Sequence, residues 1–308
     1  MIHLVTVKRL HEVSMKTVLE AWEKGFEGYY VNMTLPMAAF INRMVNEDLQ
    51  FDLSNIMLDG DRPVGINLNG IRKYPEGHVT GWNGGIGLAP EYRGKGFGKL
   101  LMEESLKAYR EAGAHQATLE AFVQNVGAIK LYEKFGYVVQ DKLLFLSTSE
   151  PVYFETEAGI DTTYTADLDL PIAVSRLPFY NSRTAWQTQW QSAKGGLSLI
   201  AYLGGEPVGY AVFKQNYNIQ GELVSIMLYR LEVQPEHANA LQVHKYLLGQ
   251  VFDPGKGAVK KTVISHEGSQ KELVNILTGL GFSKEFELVY MENELAPAPV
   301  PTSAPAAE

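Results

Sequence analysis

The sequence contains no cysteine, which narrows the chemistry open to it. Its 308 residues can form no disulfide, offer no thiolate ligand to zinc and provide no cysteine nucleophile. No apolar run approaches the roughly 18–20 residues that cross a membrane, and the first residues lack the apolar core of a signal peptide. We therefore expect a cytoplasmic protein with no membrane partner.

An excess of positive charge is also missing. Lysine and arginine number 27 against 35 acidic residues, so the formal charge is −8. Nucleic-acid binding favours basic surfaces, so we expect no nucleic-acid partner, and an acidic surface mildly favours an amine-bearing one. The seven histidines form no cluster with ligand spacing, so we also expect no metal.

The chain does contain enough apolar sequence, 45%, for ordinary globular domains. The stretches 53–70 and 197–214 resemble each other at an offset of 144 residues, and each is typical of two strands joined by a tight turn. Pro90 and the segment 130–137 recur at nearly the same offset. A constant offset across three segments predicts one fold used twice.

Segment boundaries follow from this repeat and from composition. The first half predicts helices within 14–48, two strands to 72, a strand over 78–88, a helix over 97–112, a strand over 116–123, a helix over 126–135 and a final strand. Helices that cross between strands indicate a mixed α/β class. The predicted segments are a catalytic domain at 1–148, a linker at 149–159, a second domain at 160–295 and a disordered tail at 296–308.

A turn rich in glycine and cations separates the strand 78–88 from the helix 97–112. The start of a helix leaves backbone N–H groups unpaired and has a partial positive charge. Glycines let that backbone come close to a ligand. The turn "RGKGFGK" therefore predicts a site for a phosphate or a pyrophosphate.

Two common phosphate-binding motifs do not fit this turn. A Walker A loop needs a glycine where Arg93 stands and a hydroxyl residue where Leu100 stands, and the dinucleotide fingerprint needs a different glycine spacing. Arg93-x-x-Gly96-x-Gly98 instead resembles the signature of the GNAT N-acetyltransferase superfamily. The later segment "LEAFVQNVGAIKLYEKFGYVV" resembles the next strand, helix and strand of that family, so the likeness covers about 84–139.

The resemblance implies two GNAT-like domains, each a mixed, mostly antiparallel twisted sheet flanked by helices. The implied reaction moves an acetyl group from acetyl-CoA to a primary amine, on a small molecule or a peptide N-terminus, by direct attack on the thioester. The turn would hold the pyrophosphate of CoA, and the strand before it would pair with the pantetheine arm. The implied cofactor-binding residues are Ile86, Gly87, Leu88, Arg93, Gly94, Lys95, Gly96, Phe97, Gly98, Lys99 and Asn125.

The resemblance also implies catalytic and acceptor residues. Tyr132, in "LYEKFGY", would protonate the departing thiolate. Many family members place a glutamate base where Trp82 stands here, so Glu120 and an ordered water path are the two alternatives for the base. The amine acceptor would lie against the first helices, in a pocket walled by Phe26, Tyr29, Tyr30 and Trp82.

The second half is predicted to have lost the CoA site. The residues at the positions of Arg93, Gly96, Gly98, Asn125 and Tyr132 are Ala238, Leu241, Val243, Gln270 and Leu277. Two alternatives to acetyl transfer stay open: transfer of another acyl group or to oxygen, and a CoA-binding sensor or scaffold without turnover. A monomer or a homodimer is expected.

Overall fold

The computed structural model describes residues 5–154, 164–252 and 257–295. Most of the predicted linker, from residue 155, and the predicted tail at 296–308 lie outside the described residues. The first half contains β1 (Val5–Arg9), α1 (Met15–Gly25), α2 (Met37–Asn46), β2 (Asn55–Asp59), β3 (Arg62–Lys73), β4 (Val79–Leu88), α3 (Phe97–Glu111), β5 (Gln116–Phe122), α4 (Val126–Lys134) and β6 (Val138–Thr148).

The second half repeats much of this order. It contains β7 (Tyr164–Asp169), β8 (Leu197–Leu203), β9 (Glu206–Tyr217), β10 (Leu223–Val233), α5 (Ala240–Phe252), β11 (Lys260–His266), α6 (Lys271–Gly279) and β12 (Ser283–Glu294). Short 3₁₀ turns between β7 and β8 stand where the first half has α1 and α2. The mixed α/β class predicted from the sequence is confirmed.

The described chain divides into two compact units that interleave along the sequence. Unit 1 comprises the chain to Leu119, Val126–Val138 and the residues from Met291, whereas unit 2 comprises Glu120–Asn125 and Val139–Tyr290. These units are defined by proximity in space. The predicted segment limits describe the repeat and stay a prediction.

The sheet of unit 1 has the strand order β1-β2-β3-β4-β5, and its only parallel pair among the described strands is β4 with β5. Ile86 and Leu88 on β4 pack with Leu101 of α3. A Cβ added to Gly85 or Gly87 would lie on the other face of the strand, toward α1. Since side chains alternate along a strand, α1 and α3 cover opposite faces of this sheet.

Unit 2 has the order β12-β6-β11-β10-β9-β8-β7. Here β10 and β11 are parallel, like β4 and β5. Its main apolar core packs α5 and α6 against the sheet through side chains such as Val243, Leu247, Leu273 and Leu277. The second half therefore keeps the helix-on-sheet packing of the first.

Strand irregularities repeat at the predicted offset and confirm that one fold is used twice. The β2–β3 pairing shifts register between Met57 and Leu58, and the β8–β9 pairing shifts between Ala201 and Tyr202, 144 residues later. A second shift, where β3 pairs with β4, recurs where β9 pairs with β10. Bulges of this kind re-aim strands beside functional sites.

Candidate active site

The parallel strands of unit 1 separate at a bulge. Pairing of β4 with β5 runs from Thr80 to Asn83 on β4, and no further pair is formed by the described residues although β4 continues to Leu88. Gly84 forms the bulge, and Gly85 has φ 156°, a conformation that favours glycine. The strand pairing therefore breaks at this point, which leaves one edge of β4 without a strand partner among the described residues.

The glycine turn lies directly beyond that open edge. Gly94 and Gly96 have φ of 71° and 89°, and Gly96 caps α3 without any side-chain hydrogen bond. Among the hydrogen bonds of the described residues, none is donated by the backbone N–H groups from Gly94 to Gly98. Five unpaired donors at a helix start, with Lys95 and Lys99 exposed nearby, suit a diphosphate.

Tyr132 lies close to this turn on α4. A Cβ added to Gly98 would come within 3.1 Å of Leu131 Cδ2, so α4 passes directly over the start of α3. Tyr132 is buried, and burial raises the pKa of its hydroxyl, with the nearby Tyr29 adding to the effect. The hydroxyl therefore stays protonated at neutral pH, the form that an acid catalyst needs.

The guanidinium of Arg93 bonds to backbone carbonyls on two elements. Its Nε donates to Leu88 O at 2.8 Å, and its Nη2 donates to Glu27 O at 2.6 Å and to Gly25 O at 3.2 Å. The sequence had suggested only a charge for the pyrophosphate. The contacts show that Arg93 also ties β4 to the segment that follows α1.

That segment forms a cavity of about 390 Å³ between Glu23 and Thr34. Phe26 and Tyr29, two of the four residues expected to wall the acceptor pocket, line this cavity together with Glu23 and Glu27. Tyr30 is half exposed and meets the Tyr29 ring edge-on at 5.1 Å. Trp82 is fully buried and is not among the lining residues.

The family comparison agrees with this geometry. Residues 16–137 match the model of the acetyltransferase (GNAT) family, a span that includes the bulge, the glycine turn and Tyr132. This part of the chain is therefore similar to the GNAT family. Over 96% of its length it also shares the fold of a tandem GNAT protein from the clavulanic acid biosynthesis pathway, with a TM-score of 0.61, 14% identity and 100% of that chain covered.

Curated relatives match shorter stretches of this chain. The N-alpha-acetyltransferase MAK3 of Arabidopsis thaliana is 40% identical over 52 residues, which are 17% of this chain and 27% of the relative. N-alpha-acetyltransferase 30 of Schizosaccharomyces pombe is 29% identical over 86 residues, 28% of this chain and 57% of the relative. The chain thus spans between about a quarter and just over half the length of these relatives.

A buried polar cluster under α3 was not anticipated from the sequence. The Oδ1 of Asn69 accepts hydrogen bonds from Ser105 Oγ at 2.9 Å and from Tyr109 OH at 2.5 Å, while Asn67 donates to Leu101 O at 2.8 Å. The cluster fixes the helix that begins at the glycine turn. Its only sequence signal is the run "NLNG" within an otherwise apolar strand.

The remaining predicted residues belong to unit 2. Glu120 is partly buried near the end of β5, and Asn125 precedes α4. Their assignment to the base and to pantetheine binding stays a prediction. Within the described ranges no three histidine or acidic side chains form a group that could hold a metal ion, and no helix is long and apolar enough to span a membrane.

Proposed function

We propose that this protein transfers an acetyl group from acetyl-CoA to a primary amine, at a site in unit 1. The observation that carries the proposal is the row of unpaired N–H groups from Gly94 to Gly98, placed at the start of α3 beside the open edge of β4. A diphosphate attached to an extended, amide-bearing arm matches both parts of this surface. Acetyl-CoA would supply the acyl group as a reactive thioester.

The residues of unit 1 then have separate tasks. The turn and its lysines bind the diphosphate, and Ile86 to Leu88 pair with the arm as an added strand would. Tyr132 keeps its proton because burial raises its pKa. It would give that proton to the departing sulfur as the C–S bond breaks, while the attacking amine would lose its own proton to Glu120 or to water. Holding both reactants in line contributes several kcal/mol in reactions of this kind, about 7–11 at best.

The acceptor is proposed to be a peptide N-terminus before a small amine. An α-amine has a pKa of about 7.7–8.0, so a substantial fraction is neutral at cytoplasmic pH, whereas a lysine-type amine near 10.4 is almost wholly protonated. A site whose strand position for a base is held by Trp82 suits the less basic amine. The two relatives named as N-alpha-acetyltransferases support the same choice.

The test combines binding and turnover on the whole chain. Calorimetric titration with acetyl-CoA should saturate at one molecule per chain. Release of free CoA should then be followed with short peptides bearing free α-amines, and in parallel with diamines and aminoglycosides. Peptide-dependent release supports the proposal, and release only with small amines would move the acceptor to that class.

Two results would contradict the proposal itself. Tight binding without CoA release for any amine would favour a sensor or scaffold. A chain that binds no acetyl-CoA, or binds two molecules, would overturn the assignment of the turn as the single cofactor site.

A further inference from the structure

We infer that Arg93 is a positioning residue that couples the cofactor turn to the loop lining the acceptor cavity. The inference rests on the proposed function, since it concerns how the two substrate sites of unit 1 communicate. A single planar guanidinium joins the end of β4, through Leu88 O, to Gly25 O and Glu27 O after α1. The next residue along the chain, Gly94, already belongs to the turn.

Two glycines bring these elements into direct backbone contact. A Cβ added to Gly87 would lie 2.8 Å from the carbonyl carbon of Gly25, and a Cβ added to Gly25 would lie 3.0 Å from that of Gly87. No side chain fits between the end of α1 and the open part of β4. A shift of either segment must therefore move the other, independently of the hydrogen bonds of Arg93.

The loop that Arg93 holds leads straight into the cavity. Phe26, Glu27, Gly28 and Tyr29 all line it. Tyr29 is also close enough to Tyr132 to raise the pKa of that hydroxyl together with burial. The position of Glu27 O thus determines how far the lining residues of the cavity lie from Tyr132, the proposed acid.

Coupling follows from this arrangement. A ligand on the N–H groups from Gly94 to Gly98 restricts the backbone next to Arg93, and Arg93 passes the restriction to Gly25 and Glu27. Reciprocity of binding free energies then requires that an occupied cavity tighten cofactor binding by the same factor. Arg93 would therefore influence the order in which the cofactor and the acceptor bind, in addition to providing a positive charge.

Hydrogen–deuterium exchange on the whole chain, with CoA alone as the probe, tests this. The N–H groups of Glu27 and Tyr29 bond to Lys24 O at 3.3 Å and to Phe26 O at 3.1 Å, so their exchange reports on the loop. In the unaltered protein, saturating CoA should slow exchange both at 94–99 and at 26–34. In Arg93→Lys, which keeps the charge but lacks the planar fork that joins the two segments, only 94–99 should respond.

The ligand-free proteins give a second readout. Arg93→Lys should exchange roughly five- to tenfold faster at 26–29 than the unaltered chain, as the loss of about one hydrogen bond's worth of stability predicts. Arg183→Lys, at an exposed position of unit 2, is the matched control and should change neither region. If Arg93→Lys no longer binds CoA, the ligand-free exchange rates at 26–29 alone decide whether Arg93 holds the loop.

The outcomes separate the two proposals. No protection at 94–99 in the unaltered chain would overturn the proposed function. Protection there, with 26–34 unaffected by CoA or protected equally in Arg93→Lys, would overturn the coupling alone. Unchanged ligand-free exchange at 26–29 in Arg93→Lys would also overturn it.

Discussion

Each unit has a strand bulge at the corresponding place, but different residues follow the bulge in the two units. In unit 1 the bulge on β4 is followed by Gly85 and Gly87, against which α1 packs too closely for any side chain. In unit 2 the corresponding positions, 145 residues later, are Arg230 and Glu232, whose side chains pair at 2.8 Å. Arg230 is buried, and its Nη1 also bonds to Thr184 Oγ1 at 2.5 Å and to Asn181 O at 3.2 Å.

A second side chain bridges the strands of unit 2 where those of unit 1 separate. Gln270, at the start of α6, donates to Leu231 O on β10 at 2.9 Å and accepts from the His266 N–H on β11 at 3.0 Å. The gap that would admit a pantetheine arm in unit 1 is thus occupied in unit 2 by its own polar groups.

The helix that follows the bulge also differs between the two units. Unit 1 holds α3 with the buried cluster around Asn69 and starts it with glycines. In unit 2 the place of Asn69 is taken by Phe213, and Val243, in the place of Gly98, is buried in an apolar core. The comparison teaches that the fold does not need the glycines or the polar cluster, so their presence in unit 1 points to a site.

The largest expected effect comes from opening the filled gap of unit 2. Arg230→Ala removes a buried cation and leaves the partly buried Glu232 without its ion pair, which should lower the free energy of unfolding by about 3 kcal/mol. Arg62→Ala, which removes an exposed pair with Glu91, should cost much less, because exposed ion pairs contribute little to stability. Urea unfolding measures both, and equal losses would mean that the buried pair is not what holds this gap closed.

The second-largest expected effect is a loss of stability of unit 2 at acidic pH. Burial, with the nearby Arg230, lowers the pKa of His266 from 6.5 to about 4. Between these values the unfolded chain binds a proton that the folded chain does not, so stability is complete above pH 6.5 and falls as the pH drops toward 4. A difference of about 2.5 units corresponds to roughly 3 kcal/mol.

Urea unfolding between pH 7.5 and 4 checks this slope. His266→Gln removes the titrating group and should flatten it, whereas His11→Gln, at an exposed position of unit 1, should not. A slope that survives in His266→Gln would assign the acid sensitivity to other groups.

Removing the proposed acid tests the site of unit 1 directly. Tyr132→Phe keeps the ring packed and should lower kcat by about 10²-fold, the usual scale of general acid catalysis, with little change in KM for acetyl-CoA. Tyr137→Phe, a buried neighbour whose ring centre is 6.2 Å away, is the matched control and should stay within about twofold. Equal rates for the two variants would return Tyr132 to a packing role.

The smallest predicted effect is the sharpest test of the difference between units. Gly96→Asp places a side chain and a negative charge at the turn and should weaken acetyl-CoA binding more than tenfold in calorimetry. Leu241→Asp makes the corresponding change in unit 2, where Leu241 is exposed, and should leave affinity unaltered. Sensitivity at Leu241 would mean that unit 2 also binds the cofactor.

Local patterns in the sequence were enough for the elements and for the turn. The apolar spacing over 97–112 predicted α3 to within one residue of its end, because burial of Leu101, Met102 and Leu106 follows the helical period. The bulge coincides with the glycines of "NGGIG", a residue type that often marks a break in a strand.

Features that depend on distant contacts could not be predicted in this way. Nothing near Arg93 in the sequence indicates that its guanidinium bonds to Gly25 and Glu27, more than sixty residues away. The interleaving of the units likewise depends on which strand pairs with which. Local periodicity indicates which face of a strand is buried but not which other strand lies beside it.

Translation order gives the interleaving a consequence of its own. Asn293, Glu294 and Leu295 bond to Phe135 O, to Gln116 and to His115 O, all within unit 1. A ribosome adding about 5–20 residues per second makes these residues on the order of ten seconds after β6. Unit 1 cannot be completed until these residues have been synthesised. A nascent chain whose synthesis stops anywhere in the second half would therefore lack part of its first unit.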